Sequence, residues 1–263
     1  MNLTEIILPI IRQAAKIMLS AHSPESAKSV VTKDGDANFV TVYDKATEDF
    51  LIEKISEKLP EAKFVAEEQE NDYSIFESDL VFIIDPIDGT TNFIRKFSHS
   101  SISVGAVSHG KVIFGAVYNP YLDEMFYAER GKGAYLNGER IHTSQRGVSE
   151  ALFSFGSSPY YKKELSRKSF NLAHKLFSEC ADLRRLASAA LDLCYVAMGR
   201  IDMFFEYRLA PWDFAAGMLI VTEAGGTVTD MNSNPLKFDK PTSVIASNIP
   251  CYHRLLSLAN ENT

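Results

Sequence analysis

Cysteine is scarce: the 263-residue chain has three, Cys180, Cys194 and Cys251. They are too few and too scattered for a disulfide framework or a zinc knuckle, so buried thiols in a reducing cytosol are expected. No apolar run reaches the roughly 20 residues a membrane-spanning helix needs. The opening segment MNLTEIILPIIRQAAKIMLSAH lacks the basic start of a signal peptide. It has Glu5 there, and Pro9, Arg12 and Lys16 interrupt the run, so it reads as an amphipathic helix packed on the body. A cytoplasmic protein with no membrane partner follows. Positive charge is in deficit, with 27 Lys+Arg against 34 Asp+Glu and a net charge of −7, so a nucleic-acid partner is not expected. The six histidines (His22, His99, His109, His142, His174, His253) show no ligand spacing and read as structural. There is no G-x-S-x-G elbow and no G-x-x-x-x-G-K-[ST] loop. Gly131-Lys132-Gly133 reads as turn chemistry, and Lys33-Asp34-Gly35-Asp36 lacks the twelve-residue calcium-loop pattern. The single tryptophan, Trp212, reads as a packing anchor beside Asp213.

What is present is an ordinary globular composition, 46% hydrophobic and 23% charged, in a chain long enough for a full core. A second helix is predicted from near Thr41 to before Pro60, with Leu51, Ile55 and Leu59 at helical spacing. Strands are predicted at 63–68, 80–85, 101–107, 111–118 and 124–128, then a hairpin turning at Asn137-Gly138. The polar run 144–149 suggests a seam, dividing the chain into subdomains 1–145 and 146–263. The second half alternates: strand ALFSFG, helices at 164–178 and 188–198, strand 201–207, and a helix from Pro211 to the stop at Gly225-Gly226. Early hairpins and late alternation give a mixed α/β class with layered sheets covered by helices.

The chemistry concentrates in VFIIDPIDGTTNFI, residues 81–94. The apolar run reads as a buried strand ending at Asp85, Pro86 stiffens a turn, and Asp88 returns three residues later, able to face the same point. Gly89 allows close backbone approach, and Thr90, Thr91 or Asn92 is placed to cap a short helix. Glu67-Glu68 closes the preceding strand, and Asp213 lies in the first turn of a later helix. Singly, each acid has a plain structural explanation: a solvated strand end, a helix-dipole partner, or a capping box for Asp44 after Thr41. If they converge, the explanation changes. Two like charges about 4 Å apart repel by roughly 4 kcal/mol at an effective dielectric near 20, so four would need a cation. Oxygen-only ligands favour Mg²⁺, or Mn²⁺, over zinc.

DPIDGTTNF, with VAEEQE upstream and WDFAAGMLIVTEAGG downstream, resembles the inositol monophosphatase family of Mg²⁺-dependent, lithium-sensitive phosphatases, its bacterial branch most. The resemblance runs nearly end to end through KDGDANFVTVYDKATEDFL and SAALDLCYVAMGRIDMFFEYRLAPWD. It implies an αβαβα sandwich, usually a homodimer, hydrolysing a small phosphorylated polyol or sugar, with myo-inositol monophosphate the leading candidate. By the same resemblance, Glu67, Asp85 and the Ile87 carbonyl hold one metal, and Asp85, Asp88 and Asp213 a second. Two or three Mg²⁺ per subunit are implied, with Lys33 near a loop carrying the weakest. Thr90, with Asp44 and Glu67, places the attacking water, and the Gly89 and Thr90 amides hold phosphate. Asp88, Ala189, Glu206 and Asp213 contact the alcohol. Hydrolysis is direct and in line, with no phosphoenzyme. Three positions depart from the family pattern: Ala66 and Ala187 replace common glycines, and Asn38 a frequent aspartate. Related phosphatases acting on fructose 1,6-bisphosphate, NADP, 3′-phosphoadenosine 5′-phosphate or histidinol phosphate share these motifs. A regulatory or scaffold protein retaining the fold is the non-enzyme alternative. Glu206 has its own plain reading, an exposed charge at a strand end.

Overall fold

A computed structural model describes residues 2–21, 30–32 and 39–261. Lys33 and Asn38 lie outside the described residues. The chain opens with α1 (Leu3–Ser20), a hairpin of β1 (Val30–Thr32) and β2 (Phe39–Thr41), and α2 (Val42–Lys58). Next come β3 (Lys63–Ala66), β4 (Val81–Asp88), the short α3 (Thr90–Ile94) and β5 (Ser101–Ser108). A meander follows through β6 (Lys111–Asn119), β7 (Glu124–Glu129), β8 (Gly133–Leu136) and β9 (Glu139–Ile141). The second half holds β10 (Leu152–Phe155), α4 (Lys162–Phe177), β11 (Asp182–Arg184), α5 (Ala189–Ala197) and β12 (Met203–Leu209). It ends with α6 (Pro211–Glu223), β13 (Thr227–Thr229), β14 (Thr242–Ser247) and α7 (Ile249–Asn260).

Strands β3 to β9 form a seven-stranded sheet in sequence order, parallel only between β3 and β4. The other large sheet has the order β11-β10-β12-β14-β13. Side chains sort the layers. Ile7, Ile11 and Met18 of α1 and Leu51 and Ile55 of α2 pack with Phe82, Ile84, Val104 and Phe114 on one face of the first sheet. Its other face, Ile83, Val107 and Val117, shares a core with α5, α6 and Phe204, Val244 and Ala246 of the second sheet. Leu172 and Leu176 of α4 and Leu255 of α7 cover the far face with Met203, Phe205 and Ile245. Successive residues of β12 alternate between two cores because strand side chains alternate in direction. The architecture is therefore αβαβα. The layers approach closely at Gly115, where a Cβ would lie 2.5 Å from the Ala216 carbonyl oxygen of α6. Among the described residues no helix is long and apolar enough to cross a membrane.

Several elements differ from the sequence expectation. Strand β4, second in the first sheet, does not end at Asp85 but continues to Asp88. Strands β11, β13 and β14 and the helix α7 were not anticipated; three-residue strands such as β11 and β13 carry too little pattern to read. The predicted strand at 63–68 stops at Ala66, leaving Glu67 in a turn.

Candidate active site

Residues three apart on a regular strand point to opposite faces. Asp85 and Asp88 nevertheless face the same way, because the strand is irregular between them. Asp85 pairs with Ser103 and Asp88 with Ser101, so the register shifts by one residue at Pro86–Ile87. Proline has no N–H for the ladder and is tolerated at such a bulge. The consequence shows in packing: Ile84 and Ile87 both enter the α1–α2 core, which turns both aspartates toward α5 and α6. Ile87 N–H donates to Asp85 Oδ1 at 3.0 Å, bracing the bulge. Gly89 then takes the left-handed conformation, φ +85°, and serves itself as the N-cap of α3 with Thr90 as its first residue. The expected threonine or asparagine cap is thus corrected. A side chain at Gly89 would meet the Ala187 carbonyl at 2.9 Å.

Asp213 arrives from the second half, in the first turn of α6, where its Oδ2 accepts the Ala210 N–H at 2.7 Å. The helix-start explanation is correct but incomplete. One oxygen each of Asp85, Asp88 and Asp213 lies within 4.8 Å of the others. Glu67 lies close enough to Asp85 for the two carboxyls to act on one another. Burial first, then the charges of Glu67, Asp88 and Asp213, push the Asp85 carboxyl well above its ordinary pKa. Asp213 is raised likewise, by burial and then by Asp88 and Glu67. Burial lifts Asp88 only to about 6, because Ser188 Oγ and the Ala190, Ala189 and Gly89 amides stabilise its anion. Ser188 Oγ donates to Asp88 Oδ2 at 2.5 Å and Ala190 N–H at 2.8 Å. This donor set is oxygen-only and dense. It suits a hard divalent ion.

Asp44, fully buried on α2, meets Thr90, whose Oγ1 lies 3.4 Å from Asp44 Oδ1 and 3.1 Å from the Ile87 carbonyl. Glu206 is not an exposed strand-end charge: it is 8% exposed and accepts from Ser158 N–H and Oγ at 2.9 and 3.1 Å. Burial raises its pKa to about 7 against those bonds. Ala189 is buried at the start of α5 beside Asp88. The sequence reading missed Ser188, Asp192, Tyr160 and Gly156. Asp192 is buried with Oδ1 unpartnered, and burial holds its carboxyl well above the ordinary range. Partial burial raises the pKa of the half-exposed Tyr160, with Glu67, Asp213, Asp85 and Asp88 adding to it, so its phenol borders the cluster. At Gly156 a Cβ would fall 1.7 Å from Glu206 Oε2, so only glycine leaves Glu206 its place.

Ala187 sits at φ +68°, in the left-handed region. Asn92 Nδ2 holds this segment by donating to the His99 carbonyl at 2.8 Å and the Leu186 carbonyl at 2.7 Å. For alanine that conformation costs about 1–2 kcal/mol, and glycine adds about 0.5–1 kcal/mol of unfolded-state entropy. Ala187→Gly is therefore expected to raise the melting temperature by roughly 1–3 °C. Calorimetry showing a lower one would contradict the strain.

A model of the inositol monophosphatase family matches residues 2–262. The chain is 41% identical over 219 residues to the protein named Nus factor SuhB in Escherichia coli, covering 83% of this chain and 81% of that one. It is 35% identical over 257 residues to the inositol-1-monophosphatase of Bacillus subtilis, covering 97% and 95%. Among solved structures, the IMPase of Thermotoga maritima superposes with a TM-score of 0.87 at 32% identity, covering 100% of this chain and 98% of that one.

Proposed function

The chain belongs to the inositol monophosphatase family, and we propose that it is a Mg²⁺-dependent phosphatase of small phosphate monoesters, with myo-inositol monophosphate as its substrate. The observation that carries this reading is the convergence of Asp85, Asp88 and Asp213 from both halves of the chain onto one point. In this reading, 1–145 and 146–263 act as two subdomains that meet at the site. Glu67, Asp85 and the Ile87 carbonyl would hold one ion, and Asp85, Asp88 and Asp213 a second. Bound Mg²⁺ would acidify a water and stabilise the charge that builds on the phosphoryl oxygens.

The chain's own groups supply the rest. Asp44 and Thr90 form one buried unit, so Thr90 Oγ1 can take a proton from the attacking water as its own passes to Asp44. Glu67, beside Asp85, orients that water. Gly89 and Thr90 amides, at the N-terminus of α3, hold the phosphate. Asp88, Ala189, Glu206 and Asp213 face the alcohol. A carboxylate at Glu206 accepts bonds from hydroxyls, which favours a polyol over the related sugar-bisphosphate, nucleotide and histidinol phosphate substrates. Phosphate release from a panel of inositol, sugar, nucleotide and histidinol monophosphates, with and without Mg²⁺, tests the proposal. Release from inositol monophosphate only with Mg²⁺ is expected; a folded protein releasing phosphate from none would overturn it. Millimolar Li⁺ is expected to inhibit, with Mg²⁺ relieving it; unchanged turnover would remove lithium from the proposal.

The relatives named Nus factor favour a second reading, in which the chain also acts through a macromolecular partner. A chromosomal Asp213→Asn allele separates the two. A phenotype shared with the deletion requires hydrolysis, and a wild-type phenotype assigns the role to the surface. We place the protein in the cytoplasm as a homodimer, its exposed Phe97, Phe170 and Phe177 offering apolar surface to a second copy; light scattering at the monomer mass would reject the dimer.

A further inference from the structure

Glu67 stands in a turn just past the end of β3. Its own N–H donates to the Ile84 carbonyl at 3.2 Å, and there the pairing of β3 with β4 ends. Two side chains take over. Asn71 folds back onto the strand end: its Oδ1 accepts the Ala66 N–H at 2.9 Å, and its Nδ2 donates to the Ala66 and Gln69 carbonyls at 2.7 and 3.1 Å. On the other flank Glu48 Oε2 accepts the Glu68 N–H at 2.8 Å. Glu67 is thus clamped between a residue bonded to Asn71 and a residue bonded to Glu48.

Glu48 is unusual on its own account. It is fully buried, its Oε1 has no hydrogen-bond partner, and Lys45 Nζ stands 3.7 Å from that oxygen. A carboxylate buried with half its acceptors unused is unfavourable for stability. It also sits four residues after Asp44 on α2, one turn along the same face. One helix face therefore carries both the acid that meets Thr90 and the acid that holds the Glu67 turn.

We propose that Glu48, with Asn71, is a positioning residue that sets where the Glu67 carboxylate points, and that α2 thereby keeps Glu67 in register with Asp44 and Thr90. The inference rests on the proposed metal site and adds the residues that orient one of its ligands. Groups that orient metal ligands typically contribute about 10–100-fold in metal affinity.

The test is Mn²⁺ binding to the full chain, read as loss of the free-ion paramagnetic resonance signal, with melting temperature in EDTA as a separate measure of fold. Glu48→Ala is expected to raise the half-saturating Mn²⁺ concentration by roughly tenfold or more. Glu48→Gln, whose amide oxygen still accepts the Glu68 N–H, is expected to stay within about threefold of wild type. A Glu48→Ala protein that melts lower in EDTA but binds Mn²⁺ with the wild-type midpoint would reduce Glu48 to a structural residue and overturn the proposal. Glu48→Gln binding as weakly as Glu48→Ala would overturn it too, since the acceptor would then not be what matters. If Glu48→Ala does not fold, Asn71→Ala on the opposite flank gives the same reading: a raised midpoint supports the clamp and an unchanged one overturns it. Wild-type protein that takes up no Mn²⁺ would end the metal site itself. A wild type that binds, beside unshifted variants, ends only the positioning role.

Discussion

Asp213→Asn is expected to lower Mg²⁺-dependent phosphate release by about 10³-fold or more while the protein stays folded. The magnitude follows from what the carboxylate supports: metal stabilisation of transition-state charge is worth several kcal/mol, and about 4 kcal/mol is roughly three decades of rate. Folding is expected to survive because an asparagine oxygen can still accept the Ala210 N–H that Asp213 Oδ2 accepts at 2.7 Å. Without metal the variant should even melt higher, since it removes one of the mutually repelling acids that push the Asp85 and Asp213 carboxyls well above their ordinary range. The paired measurement is phosphate release at saturating Mg²⁺ and melting temperature in EDTA. Normal turnover by a folded variant would refute the site.

Much of this site is legible in the primary structure because its residue types are hard to explain otherwise. A run of buried apolar residues ending in DPIDG concentrates two acids, a proline and a glycine within five positions. Helical spacing correctly put Leu51 and Ile55 on one helix, whose buried side packs against α1, and Pro211 correctly marks the first turn of α6. The register shift was not legible. Period-two alternation has no way to announce that Ile84 and Ile87 share a face. Equally hidden were the groups that act through long-range contact. Ser188 reaches Asp88 across a hundred residues, and Gly156 matters only because Glu206 occupies the space of its absent side chain. Glu48 looks like one more helix-surface acid until the turn at Glu68 is laid against it. The departure at Ala187 was visible as a residue type, but its positive φ was not.

The acidic cluster also gives metal-free protein an inverted pH response. Asp88 is raised to about 6 and Glu206 to about 7 by burial, and Asp85 and Asp213 rise further in the same direction. A carboxyl whose folded pKa exceeds its unfolded value binds more protons in the native state. Its contribution to stability is full below the unfolded value near 4 and is lost as pH rises through the folded one. Between about pH 7.5 and 5.5, Asp88 and Glu206 together should return roughly 2–3 kcal/mol, or about 5–10 °C in melting temperature. His99, whose pKa burial lowers, opposes this in the same window but is a single group. Calorimetry in EDTA should therefore show the protein melting higher at the acid end. Added Mg²⁺ should reverse the order. It binds the ionised cluster near pH 7.5, stabilising the native state by mass action, and must displace protons near pH 5.5, where its effect shrinks. Metal-free protein that melts lower at about pH 5.5 than at 7.5, with an equal Mg²⁺ shift at both, would mean that burial does not hold these carboxyls toward their protonated form. The physical reason for a cation at this point would then be gone.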